Sequence, residues 1–166
     1  MTSDTIVALA TPFGPGAIAV IRLSGDGAHD VASRAMPGIA TGTMRRVLRS
    51  RVLDAEGASL DDVLATFFAA PASYTGEDTV EISCHGGVLV TQRVLERLVV
   101  CGARVAEAGE FTRRAFLNGK MDLTQAEAVM DVISAQTDLA LRAAQQQLAG
   151  RLGEAVEALR AEVLGI

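Results

Sequence analysis

One short segment changes from an alternating pattern to a helical one, and this change is the strongest constraint on the fold. Val80, Ile82 and Cys84 alternate with polar residues, as in a strand that buries one face. After two glycines, apolar residues recur at helical spacing over residues 90–101. The segment therefore predicts a strand with its polar residues on one face, followed by a helix that ends at Gly102.

The rest of the first 118 residues shows further strand and helix patterns. Short runs of apolar, often β-branched residues are separated by Gly- and Pro-rich turns. These runs predict strands over residues 5–10, 17–23, 47–53, 63–69 and 103–106. Helical spacing predicts helices over residues 28–35 and 110–118, the first of them capped within Ser24-Gly25-Asp26.

The character of the sequence changes from Thr124 onward. Thr124 and Glu127 form a capping-box pattern, and an apolar stripe then continues to Val163. As one helix of roughly 40 residues this segment would extend about 60 Å, although Gly150 and Gly153 are possible breaks. Because we expect no helix of matching length to cover the stripe, the segment predicts the start of a helical bundle that a longer chain completes.

Composition excludes several classes of protein. The net charge of −5 argues against a broad nucleic-acid surface, because phosphate binding depends on clustered Lys and Arg. No run of about 18 apolar residues occurs that would predict a membrane-spanning helix. The first residues lack the basic and small-residue features of a signal peptide, so we expect a cytoplasmic protein without membrane association.

The cysteines and histidines do not form a recognisable reactive or metal-binding motif. Cys84 and Cys101 lie too far apart for a redox or zinc pair, so we interpret them as buried structural thiols. Cys84 and His85 are neighbours on a predicted strand and therefore point to opposite faces, which argues against a catalytic dyad. His29 and His85 have no further ligands at suitable spacing, so we expect no metal site.

One local cluster is basic. It consists of Arg45, Arg46, Arg49 and Arg51. We interpret it as the charged, solvent-facing edge of a hairpin strand, which protects the strand from edge-to-edge pairing. Contact with tRNA phosphates in a larger assembly is the alternative.

Three segments resemble motifs of the MnmE (TrmE) family of tRNA-modification GTPases. The first is DTIVALATPFGPGAIAVIRLS at residues 4–24, and the second is SYTGEDTVEISCHGG at residues 73–87. The third is GEFTRRAFLNGKMDLTQAEA at residues 109–128, where two Arg, one Lys, one Asn and several acids surround a helix break. The three segments occur in the same order as in the family, so the resemblance is specific.

The resemblance implies a fold and a ligand. The fold is a mixed-sheet, α+β folate-binding and dimerisation domain over residues 1–118, similar to that of the glycine-cleavage T-protein, followed by the first long helix of a helical domain over residues 119–166. The ligand is the reduced folate 5-formyl-tetrahydrofolate, bound through Arg22, Glu81 and Lys120. A carboxylate accepts the paired N–H donors of a pterin edge, and Arg or Lys complements the carboxylates of the glutamate tail.

The residues alone leave another interpretation open. Glu81 also fits the solvent-facing side of a half-buried strand, and Arg22 and Lys120 also fit ordinary surface charges.

The resemblance also implies partners and cofactors. A longer parent protein would form a homodimer and act with an MnmG-like flavoprotein on the wobble uridine of tRNA, with the folate as proposed one-carbon donor. GTP, K⁺ and Mg²⁺ would bind only in a G domain. The P-loop motif is absent here, because Gly119-Lys120 is preceded by Arg114 and followed by Met121 at the positions that need Gly and Ser or Thr. We therefore expect a part of a longer chain without catalytic residues of its own.

Two other functions remain open at this point. The first is a folate-dependent aminomethyl or formyl transferase that acts on its own, although no substrate domain is recognisable. The second is a dimerisation scaffold that binds no ligand.

Overall fold

A computed structural model describes residues 4–39 and 45–165. The chain divides into two compact units, Met1–Phe111 and Thr112–Ile166. The first unit contains one sheet with the strands β1 (Ile6–Leu9), β2 (Ile18–Ser24), β3 (Val47–Leu53), β4 (Ser59–Phe68), β5 (Thr79–His85) and β6 (Arg104–Val105). The helices are α1 (Ala28–Ala35), α2 (Val88–Val100), α3 (Glu110–Leu117), α4 (Leu123–Ser134), α5 (Asp138–Leu148) and α6 (Arg151–Leu164).

The sheet is mixed. Its strand order is β3-β4-β5-β2-β1-β6, with β1 and β6 parallel and the other neighbouring pairs antiparallel. In the β2–β5 pair, Ile21 lies opposite Ile82 and Arg22 lies opposite Glu81. Because side chains alternate along a strand, these two pairs point to opposite faces of the sheet.

Helices α1 and α2 cover one face of the sheet, and the hydrophobic core lies between them and the strands. The core takes Ile21, Leu23 and Ile82 from the central strands and Phe67 from β4, all fully buried. Val31 from α1 and Val94 and Leu98 from α2 complete it from the helical side. The opposite face carries polar members of the same strands, among them Arg22 and Glu81.

The structure confirms the α+β class with a mixed sheet followed by helices. Two boundaries in the first unit differ from expectation. Strand β4 begins at Ser59 and not at residue 63, since backbone pairing with β3 extends through the polar residues before Val63. The N-cap position of helix α1 is Gly27, which provides no side-chain cap, while Ser24 ends β2.

The single long helix expected from Thr124 is wrong. Residues 123–164 form three helices, and the first break lies at residues 135–137, where no Gly or Pro occurs. Thr137 caps α5, because its side chain accepts a hydrogen bond from the backbone N–H of Ala140 at 3.2 Å. The second break is at Gly150, which has a left-handed backbone with φ +81°, whereas Gly153 lies inside α6.

The capping box at the start of α4 uses a different residue pair from the expected Thr124 and Glu127. Asp122 accepts from the backbone N–H of Gln125 at 2.8 Å, and the Gln125 side chain accepts from the backbone N–H of Asp122 at 2.9 Å. Hydrogen bonds from Thr124 and then from Gln125 hold the pKa of the Asp122 carboxyl below its usual value. Helix α4 therefore begins two residues earlier than the Thr124 capping box indicated.

Helices α4 and α5 pack against each other, so the apolar stripe finds part of its cover within the chain. Ala128 of α4 and Ala144 of α5 are buried. The Gln125 side chain donates to the carbonyl of Leu148 at 2.9 Å, and the Gln147 side chain donates to the carbonyl of Thr124 at 3.0 Å. The expectation that no helix in the sequence would cover this stripe is therefore wrong for α4 and α5.

Among the described residues, no helix has both the length and the apolar composition needed to cross a membrane.

Candidate functional site

Arg22 and Glu81 form an ion pair on the sheet face that α1 and α2 leave uncovered. They lie directly opposite each other on β2 and β5. Arg22 donates from Nη2 to Oε1 of Glu81 at 2.7 Å and from Nε to the same oxygen at 3.0 Å. The side chains are 26% and 33% exposed, so the pair is accessible to a ligand. Both guanidinium donors converge on Oε1, and the described part of the chain offers no hydrogen bond to Oε2.

Two aromatic rings lie beside the Arg22 guanidinium. Its Cζ atom is 5.1 Å from the centroid of the Tyr74 ring and 5.9 Å from the centroid of the Phe111 ring. Both distances are within the range of a cation–π contact. The rings therefore restrict the directions in which Arg22 can move and favour its orientation towards Glu81.

A buried group of hydroxyls anchors the loop that carries Tyr74. The Ser24 hydroxyl lies 2.6 Å from that of Thr75, and both residues are fully buried. The Ser24 hydroxyl also lies 2.8 Å from a carboxylate oxygen of Glu77. These bonds fix the loop between β4 and β5 against the end of β2, which places Tyr74 beside Arg22.

A second polar network anchors the start of α3 and with it Phe111. Arg104 donates from Nη1 and Nη2 to the two oxygens of Glu110, at 2.8 and 2.6 Å, and also pairs with Asp4. These bonds, chiefly those to Glu110, raise the pKa of the Arg104 guanidinium above its already high usual value. The Glu110 carboxylate also accepts from the backbone N–H of Glu107 at 2.8 Å, and its side chain is 1% exposed.

An open cavity of about 400 Å³ borders the ion pair. We call it the Glu81 cavity; its lining includes Arg45, Phe68, Ser73, Tyr74, Thr79 and Glu81. Its volume is within the range of about 300–1,000 Å³ that is typical of small-molecule sites. A larger open cavity, of about 760 Å³, lies at the outer edge of β3 beside Arg49 and Asp62, but Arg22 and Glu81 do not line it.

The third residue selected from the sequence lies in the second unit. Lys120 is exposed in the turn between α3 and α4, and its backbone N–H donates to the carbonyl of Ala115 at 2.9 Å. The structure therefore brings Arg22 and Glu81 together in the first unit, and Lys120 belongs to the second unit, on the segment that follows α3.

The basic cluster at residues 45–51 separates into two parts. Arg49 and Arg51 lie on β3, the edge strand of the sheet, and Arg49 is 3.6 Å from Asp62. This placement agrees with a charged strand edge. Arg45 precedes β3 and lines the Glu81 cavity.

Cys84 and His85 point to opposite faces, as the alternation predicted. Cys84 is buried in the core, and its Sγ donates to the carbonyl of Ala19 at 3.6 Å. Burial and then the charge of Asp61 raise the pKa of this thiol, so it is poorly suited to act as a nucleophile. His85 is exposed, and its Nδ1 lies 2.6 Å from Asp61. Within the described ranges, no three His, Cys, Asp or Glu side chains come close enough to hold a metal ion.

The sequence interpretation did not select three residues that the structure places at the candidate site: Tyr74 and Phe111 beside Arg22, and Arg45 in the lining of the Glu81 cavity. Tyr74 and Phe111 both occur inside the segments that carry the family resemblance, and that position was the available signal. Arg45 was grouped with three other arginines, because a run of like charges does not show which member turns towards a cavity.

Comparisons with known protein families agree with the motifs. The family model described as "GTP-binding protein TrmE N-terminus" matches residues 5–120. The model described as "MnmE helical domain" matches residues 123–166. The chain belongs to the TrmE (MnmE) family.

Proteins named "tRNA modification GTPase MnmE" are similar to this chain over nearly all of its length. The protein from Akkermansia muciniphila is 61% identical over 94% of the chain, and that from Chloroflexus aurantiacus is 51% identical over 98%. The protein from Pseudothermotoga lettingae is 49% identical over 98%. The chain spans only 35 to 36% of the length of these MnmE relatives, so it corresponds to about a third of each.

Proposed function

We propose that this chain is the folate-binding part of a cytoplasmic tRNA-modification GTPase and that it binds 5-formyl-tetrahydrofolate through Arg22, Glu81 and Lys120. The longer protein would act with a flavoprotein partner of the MnmG type on the wobble uridine of tRNA. GTP hydrolysis, with its Mg²⁺ and K⁺, is assigned to sequence outside these 166 residues, because the P-loop motif is absent from them.

The arrangement of Glu81 supports folate binding most directly. Arg22 holds Oε1, while Glu81 is one-third exposed beside an open cavity. A carboxylate fixed in this way presents Oε2 to an N–H donor, such as one on the edge of a pterin. Arg22 then acts mainly by orienting Glu81, and Lys120 remains the residue proposed for an anionic part of the ligand.

Calorimetric titration of the chain with 5-formyl-tetrahydrofolate tests this proposal. We expect Arg22→Ala, Glu81→Ala and Lys120→Ala each to weaken binding by roughly 10- to 150-fold, because a hydrogen bond to a charged group contributes about 1.5–3 kcal/mol. Arg49→Ala is the matched control, since Arg49 is an exposed arginine on the same face of the sheet. Its affinity should equal that of the unchanged chain.

Circular dichroism should show the same secondary structure in all four variants. Unchanged affinity in the three site variants would contradict the site assignment. Absence of binding by the unchanged chain would favour a scaffold without ligand, and formyl or aminomethyl transfer by the chain alone would favour the transferase.

We also propose that the chain forms a homodimer through the uncovered face of the sheet. The face carries large apolar side chains that are about half exposed or more: Ile18 at 67%, Val47 at 64% and Leu64 at 48%. Large apolar side chains exposed on one face commonly mark an interface. In sedimentation velocity at tens of micromolar, a range on the order that reveals weak association, we expect a dimer that Leu64→Lys converts to a monomer. A monomeric unchanged chain would contradict the dimer.

A further inference from the structure

Arg45 has a defined position at the Glu81 cavity. Its backbone N–H donates to the carbonyl of Phe67 at 2.9 Å, and its Nη2 donates to the carbonyl of Ala72 at 3.1 Å. Its φ of +57° is the one left-handed backbone at a non-glycine residue in the described ranges. Such a conformation is unfavourable for a side chain and persists only where surrounding contacts enforce it. Arg45 is thus directed to the cavity by its neighbours, unlike Arg49 and Arg51 on the strand edge.

The Glu81 cavity carries opposite charges on different segments. Glu81 lies on β5, and Arg45 lies two residues before β3, with β4 between the two strands. Two strand spacings put the backbones of Glu81 and Arg45 at least about 10 Å apart. Tyr74 and Phe68 contribute aromatic surface to the same cavity.

These features fit an elongated ligand with hydrogen-bond donors at one end, an aromatic body and an anionic group at the other end. A pterin alone lacks the anionic end, whereas a folate carries glutamate carboxylates beyond its pterin and aminobenzoyl rings. Arg22 does not fill this role in the structure, because its donors are directed to Glu81.

We propose that Arg45 binds the glutamate-tail carboxylates of the reduced folate, an inference that rests on the proposed function. Arg45 is a binding residue and takes no part in bond formation. The guanidinium of arginine presents paired donors that match a carboxylate, which an ammonium group does not.

Two ligands separate a contact to the tail from a general effect on the site. One is 5-formyl-tetrahydrofolate, and the other is 5-formyl-6-methyl-tetrahydropterin, which has the same ring system without the tail. Arg45→Gln removes the charge, Arg45→Lys keeps it, and Arg46→Gln is the matched control from the next position. Calorimetry measures each variant with each ligand.

We expect Arg45→Gln to bind the folate about 5- to 10-fold more weakly, because an exposed charge pair is partly screened by water. The affinity of Arg45→Gln for the tailless pterin should be unchanged. Arg45→Lys should recover part of the lost affinity for the folate. Arg46→Gln should bind both ligands as the unchanged chain does.

Other results would overturn the inference. Equal weakening for both ligands would show that Arg45 acts by holding the loop at Ala72. Full folate affinity in Arg45→Gln would show that the tail binds elsewhere, with the proposed folate function intact. If the unchanged chain binds neither ligand, the proposed function fails and the inference fails with it.

Discussion

Arg104→Met is expected to lower the free energy of unfolding by about 3–5 kcal/mol, because it removes the guanidinium that makes two charge-assisted hydrogen bonds to the buried carboxylate of Glu110. The Glu110 side chain is 1% exposed and would retain the backbone N–H of Glu107 as a donor. A typical domain has a total stability of about 5–15 kcal/mol, so the loss is a large share of it. Urea unfolding followed by circular dichroism measures the effect.

Two companion variants complete the test. Glu110→Gln leaves Arg104 with a weaker acceptor, but Arg104 is 44% exposed and water solvates it, so we expect a smaller loss than for Arg104→Met. The double variant Arg104→Met/Glu110→Leu removes both charges and should recover part of the stability.

Since Glu110 is followed directly by Phe111, which lies beside Arg22, each single variant should also weaken folate binding.

Local patterns predicted the faces of the strands but not their partners. The alternation around Ile82 shows which residues share a face, and the structure confirms it. That Arg22 meets Glu81 depends on the register of two strands whose paired residues are 59 positions apart, which no local pattern contains. The family resemblance selected both residues as ligand contacts, but their ion pair was not predicted from the sequence.

The helical segment shows where local signals were present but ambiguous. Asp122 with Gln125 and Thr124 with Glu127 both fit a capping box, and spacing alone does not choose between them. The break before α5 had a signal as well, because Thr137-Asp138 is a typical helix start. Apolar spacing continues across the break from Ile133 to Leu141, and this continuity outweighed the cap signal in the sequence interpretation.

Phe67 and Phe68 are expected to separate stability from binding, because adjacent residues on β4 point to opposite faces. Phe67 is fully buried in the core and contacts the edge of the His29 ring, with centroids 5.2 Å apart. Phe67→Ala should lower the free energy of unfolding by about 3–5 kcal/mol through the cavity it leaves. Phe68 is half-buried and lines the Glu81 cavity. Phe68→Ala should therefore lower the free energy of unfolding by only about 1 kcal/mol.

Affinity for 5-formyl-tetrahydrofolate should follow the reverse order. Phe68→Ala removes aromatic surface beside the ligand and should weaken binding by about 5- to 10-fold, equivalent to about 1–1.4 kcal/mol. Phe67→Ala, titrated at a temperature where it is fully folded, should stay within about 3-fold of the unchanged chain. Phe67→Leu serves as the control for volume and should lose less stability than Phe67→Ala. If Phe67→Ala weakened binding more than Phe68→Ala, the ligand would contact the helix-covered face, and the assignment of the site to the face that carries Arg22 and Glu81 would be wrong.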